Sequence, residues 1–133
     1  MKKVVFSLGI VAIILLAISV LAHFLFGGFV LYWSQDPRLI SYILSKIPQT
    51  HPYVPTEAEI QMGIFALGWA VIALGFLLIP GLIVDILITA SSRDESKPNG
   101  LAKGITLGVL DLLFGSKFLG VLEIIEVTCF ETK

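Results

Sequence analysis

Charge is what this sequence has least of, and the shortage is uneven. Asp, Glu, Lys and Arg make up 14% of its 133 residues, against about 25% in an ordinary soluble domain. Residues 4–35 contain none of the four, and neither do residues 60–84. The formal net charge of −1 leaves no basic footprint for a polyanion, so no nucleic-acid partner is expected. Cysteine is nearly absent as well, and Cys129 by itself cannot close an internal disulfide. The sequence has no G-x-S-x-G, no H-E-x-x-H, no P-loop and no Cys–His arrangement. His23 stands alone in an apolar run and reads as a packing residue, while His51 lies among prolines with no partner at metal-ligand spacing. The expectation is a non-enzymatic protein with no catalytic residue, no cofactor and no metal.

What is present is apolar length. The hydrophobic share is 56% and the mean hydropathy is +0.95. A bilayer core of roughly 30 Å needs about 20 apolar residues in a helix, and both charge-free stretches exceed that. The composition therefore predicts an all-α membrane protein forming one integral membrane domain over residues 1–133. Two spans are expected, at about 4–33 and 57–90, in contact with the lipid bilayer. The start Met1-Lys2-Lys3 followed by an apolar run resembles a secretory signal. The run continues to Trp33, far beyond an h-region of about 7–15 residues, so an uncleaved anchor is expected.

Local punctuation sharpens these elements. Thr56 followed by Glu59 is a capping box at the head of the second span, and Pro80-Gly81 should kink that helix. Asp36-Pro37 reads as an N-cap with proline at the first helical position, and Pro48 ends the pattern. Between them Leu39, Ile40, Ile43, Leu44 and Ile47 share one face, which predicts a short amphipathic helix at about 37–47 on the outer surface. Residues 49–55 should be an exposed link.

The segment at about 101–130 is marginal. It is apolar but carries Asp111, Lys117, Glu123 and Glu126. A central Asp or Lys costs about 2.5–3.5 kcal/mol to insert, whereas each large aliphatic residue returns about 0.3–0.6 kcal/mol. A break at Gly115-Ser116 resolves the conflict by giving two short helices, at about 101–114 and 117–130, packed in the bundle as a third membrane-embedded element.

Two stripes of small residues mark candidate helix-packing faces. Gly104 and Gly108 form a G-x-x-x-G, and Gly63, Ala66, Ala70 and Ala73 form a second stripe. They imply tight contact within the chain, with other membrane protein helices, or with copies of itself. The candidate functional carboxylates are Asp85 and Asp111, since ionisable groups within membrane segments are costly. The plainer alternative is an interfacial cap or ion pair, with Arg93 or Lys103 for Asp85 and with Lys103 or Lys117 for Asp111.

Orientation follows from the positive residues. Lys2 and Lys3 precede the first span and Arg93, Lys97 and Lys103 follow the second, five in all, against Arg38 and Lys46 between the spans. That bias puts the N-terminus in the cytoplasm, in a bacterial inner (cytoplasmic) membrane. The expected role is an accessory, assembly or regulatory subunit acting through helix–helix contacts. The alternative is a self-associating pore or small transporter component, holin-like or proton-coupled, that uses Asp85 or Asp111.

Overall fold

In the computed structural model residues 1–94 and 97–131 are described, the last of them as backbone alone. Glu95 and Ser96, in the positively charged loop weighed for orientation, lie outside the described residues. The described chain is helical, with no strand among its residues. α1 is Lys2–Trp33, α2 is Pro37–Lys46, α3 is Glu57–Ser91, α4 is Leu101–Phe114 and α5 is Lys117–Ile125, which runs on into a wide π-helical stretch, Glu126–Glu131.

α1 and α3 have 32 and 35 residues, so each is long and apolar enough to cross a membrane. The core helix of a soluble protein passes the same test of length and composition, but it is mostly buried. Here 17% and 28% of the most apolar windows are buried. Large side chains such as Leu15, Leu21 and Leu25 on α1, and Trp69, Phe76 and Leu77 on α3, are exposed.

The ends of the elements follow the local chemistry. Asp36 accepts a hydrogen bond from the Arg38 amide at 3.0 Å, fixing the start of α2. α2 turns Leu39, Ile40, Ile43 and Leu44 inward and leaves Arg38, Ser41, Ser45 and Lys46 exposed. At the head of α3 the Glu59 amide donates to Thr56 Oγ1 at 3.2 Å, and the Thr56 hydroxyl donates to Glu59 Oε1 at 3.3 Å. The link after α2 contains a turn, in which the His51 amide donates to the Pro48 carbonyl at 3.0 Å. Pro80 lies inside α3, which continues past it to Ser91.

The described chain falls into two compact units that share α1 and α3. One comprises residues 1–20 and 76–133, the other residues 21–75.

In the second unit, α1 and α3 meet through glycines. A Cβ on Gly27 would lie 2.9 Å from the Gly68 carbonyl oxygen, and one on Gly68 would lie 2.8 Å from Leu31. Phe24 and His23 close over Gly75 in the same way. The stripe proposed from the sequence does not make this contact. Gly63, Ala66, Ala70 and Ala73 are exposed, and a Cβ on Gly63 would meet nothing within 4 Å. The reason is size: glycine opposite glycine permits a closer backbone approach than alanine can, so Gly68 and Gly75 set the rotation of α3 and the alanines face outward.

In the first unit a small apolar core gathers Val5 of α1, Val84 and Ile88 of α3, Leu107 of α4 and Leu119 of α5. Gly9 of α1 sits directly against Thr89 of α3. α4 and α5 form a hairpin whose break falls at Gly115-Ser116. Gly104 lies under Val127, and Gly108 lies against Ile124 and the Gly120 carbonyl. Both glycines of the G-x-x-x-G therefore face the returning arm of their own hairpin.

Candidate functional site

The first unit is unusual in what it buries. Asp85, Asp111 and Glu123 are each 0% exposed, Glu126 is 3% exposed, and Lys2, Thr89 and Ser92 are also buried. These side chains occupy two levels of the unit.

The first level lies at the break of the hairpin. Gly81, the residue after Pro80, is pressed against the end of α4, where a Cβ would overlap the Phe114 carbonyl and Gly115 Cα. Gly115 is equally crowded: a Cβ there would overlap Asp111 Oδ1 and come within 2.8 Å of the Gly81 carbonyl oxygen. Its φ of −123° is open to any residue, so space, not backbone conformation, requires glycine there. This backbone-to-backbone approach sets the depth at which α4 meets α3. One turn beyond Gly81 it brings Asp85 of α3 and Asp111 of α4 to the same turn, Gly115-Ser116.

The Ser116 amide, at the start of α5, donates to Asp85 Oδ1 at 3.3 Å. Asp85 Oδ2 and both carboxyl oxygens of Asp111 are buried and accept no N–H or O–H at full hydrogen-bond geometry among the described residues. The ion pairs weighed from the sequence are not formed. Arg93, Lys103 and Lys117 are exposed, whereas both aspartates are buried at the hairpin break.

The second level ties the start of α1 to the loop before α4. Lys2 Nζ donates to the Lys97 carbonyl and lies 3.4 Å from Asn99 Oδ1. The Asn99 amide group donates onward to Glu123 Oε1 of α5 at 2.9 Å. One asparagine thus couples a buried lysine to a buried glutamate across three segments. Thr89 donates its hydroxyl to the Asp85 carbonyl at 2.8 Å, satisfying itself within α3.

The sequence marks Asp85 and Asp111 separately, Lys2 only through the charge count and Ser116 only as part of the helix break, and it gives no role to Asn99. The available signal was the Asn99-Gly100 pair ahead of α4, where Gly100 takes a φ of +80° that favours glycine. His23 is half-buried beside Gly75, and His51 Nδ1 is engaged locally with Tyr53 at 2.9 Å. Among the described residues no three His, Cys, Asp or Glu side chains gather as metal ligands. Set beside protein-family models, curated proteins and solved structures, the chain matches none.

Proposed function

We propose that this chain is a small polytopic membrane protein that acts, without catalysis, as an accessory, assembly or regulatory subunit by binding another membrane protein's helices. The observation that carries the reading is the outward face of α3. Gly63, Ala66, Ala70 and Ala73 are exposed and unused by the chain's own α1–α3 contact, which runs through Gly27, Gly68 and Gly75. A small-residue face on a lipid-exposed helix is a seat for a second helix, because close backbone approach drives association where lipid is as apolar as leucine.

The membrane is taken to be the bacterial inner membrane, with the N-terminus in the cytoplasm. Support comes from the five-to-two lysine and arginine bias. It comes too from the hydrogen bond of Lys2 to the Lys97 carbonyl, which keeps the two positively charged segments together.

A second reading, a self-associating pore or proton-coupled transporter component, is favoured by the burial of Asp85 and Asp111 at the same turn of the hairpin. One experiment separates the two. The tagged full-length chain is purified in mild detergent beside the Ala66→Leu/Ala70→Leu variant. The accessory reading expects a different membrane protein at fixed stoichiometry with the parent and its loss with the variant, the thermal stability of the chain being unchanged. Elution of the parent as a pure homo-oligomer would overturn the accessory reading in favour of the pore.

A further inference from the structure

Asp85 and Asp111 are fully buried on different helices and meet the same turn, where Asp85 Oδ1 accepts from the Ser116 amide and Asp111 Oδ1 lies against Gly115. An ionised carboxylate accepts hydrogen bonds and cannot donate one. Two ionised groups buried at one turn would therefore share no bond and would repel in a low-dielectric interior. The surroundings offer little relief. α5 contributes the Ser116 N–H, which reaches Asp85 Oδ1. Lys117, the next residue, is exposed. Within the unit α1 carries Lys2, engaged at the level of Lys97 and Asn99, and Lys3, which is exposed. The other buried acids, Glu123 and Glu126, follow on α5 and the π-helical stretch, with Glu123 joined to Asn99. α3 adds Thr89, whose hydroxyl is committed to the Asp85 carbonyl. Three carboxyl oxygens of the pair remain without a donor among the described residues. The donor that fits between two acids buried at one turn is a proton.

The position of the pair gives that proton a consequence. Asp85 and Asp111 lie beside the point where the hairpin break touches α3 backbone to backbone, at Gly81, Phe114 and Gly115. We propose that Asp85 and Asp111 form a one-proton site, in which a single proton bridges the two carboxyl groups and holds the α4–α5 hairpin against α3. Loss of that proton to water leaves two anions facing each other across the junction and releases the hairpin. The site is independent of the outward face of α3, and it makes the hairpin a proton-controlled element whether or not that face binds a partner.

The test uses the full-length chain in nanodiscs of zwitterionic lipid, with Cys129→Ser in the background. Infrared difference spectra compare the parent with Asp85→Asn/Asp111→Asn. Spin labels at Ile83→Cys and Leu113→Cys, exposed positions on α3 and α4, report the separation of the helices. The proposal expects a protonated-carboxyl band near neutral pH, equal to one acid per chain and missing from the double variant. Raising the pH should abolish the band and lengthen the label distance together. Asp111→Asn, whose amide can donate permanently to Asp85, should keep the short distance at every pH. If the double variant does not fold, Asp85→Asn and Asp111→Asn are compared singly, each expected to remove the titrating band. The proposal is overturned if parent and variants show the same band, if the band titrates without any change in distance, or if sodium ions at constant pH remove the band while the hairpin stays docked. The last result would make the pair a cation site.

Discussion

Gly108 and Gly120 face each other across the α4–α5 hairpin so closely that neither could carry a side chain. A Cβ on Gly108 would lie 2.9 Å from the Gly120 carbonyl oxygen, and one on Gly120 would lie 2.6 Å from the Gly108 carbonyl oxygen. In both cases the obstacle is backbone, which cannot rotate away as a side-chain tip can. The hairpin is therefore fixed by what these positions lack, and the usual size rule for cores inverts. Gly108→Leu and Gly120→Leu should destabilise the protein in detergent more than Leu107→Ala, although Leu107 is a buried core residue. The alanine variant should cost about 2–5 kcal/mol through its cavity. Thermal unfolding of the three variants gives the order, and glycine variants as stable as the parent would show that the arms do not touch.

The same reasoning separates two sets of glycines on α3. Gly68→Val should drive Leu31 and the Gly27 segment of α1 away and lower the unfolding temperature by several degrees, the scale of a lesion of about 1–3 kcal/mol from overpacking. Gly63→Val, with nothing within 4 Å, should leave it unchanged. Equal effects of the two substitutions would mean that α3 presents a different face to α1.

Much of the architecture could be read because it is local. Asp36-Pro37 and Pro48 bracket α2, Thr56 and Glu59 start α3, and the insertion cost of Asp111 and Lys117 requires the break at Gly115-Ser116; each signal acts within a turn or two of the residues that carry it. The rotation of one helix against another is not local. A helical wheel places Gly63, Ala66, Ala70 and Ala73 on a common face, but whether that face turns inward depends on the partner, and Gly27 seats against Gly68 instead. The meeting of Asp85 and Asp111 was hidden for the same reason. Each was visible as a costly carboxylate, but their depth is set by Gly81 against Phe114 and Gly115, a contact between segments far apart in sequence.

Topology is open to direct measurement. In a Cys129→Ser background, a cysteine replacing exposed His51 should react with a membrane-impermeant reagent on intact cells, whereas one replacing Lys97 should react after lysis. Lys3→Cys should behave like Lys97→Cys, because Lys2 is hydrogen-bonded to the Lys97 carbonyl. Labelling of His51→Cys restricted to lysed cells would invert the orientation, and opposite behaviour of the Lys3 and Lys97 positions would contradict the hydrogen bond itself.

Asn99 carries the last prediction. Its side chain uses both ends: the amide group donates to Glu123 Oε1 at 2.9 Å, and Oδ1 lies 3.4 Å from Lys2 Nζ. Asn99→Ala removes both contacts while Lys2 and Glu123 stay buried, and losing a buried hydrogen bond to a charged group costs about 1.5–3 kcal/mol. Asn99→Asp keeps an acceptor for Lys2 but sets a carboxylate against Glu123 where a donor stood, so it should rescue little despite its nearly identical shape. Asn99→Gln retains both functions and should recover part of the loss, limited by the extra methylene that displaces its amide from Glu123. Unfolding temperatures in detergent should thus fall in the order parent, Gln, then Ala and Asp together. Asp behaving like the parent would show that shape, not the direction of the hydrogen bond to Glu123, is what the site requires.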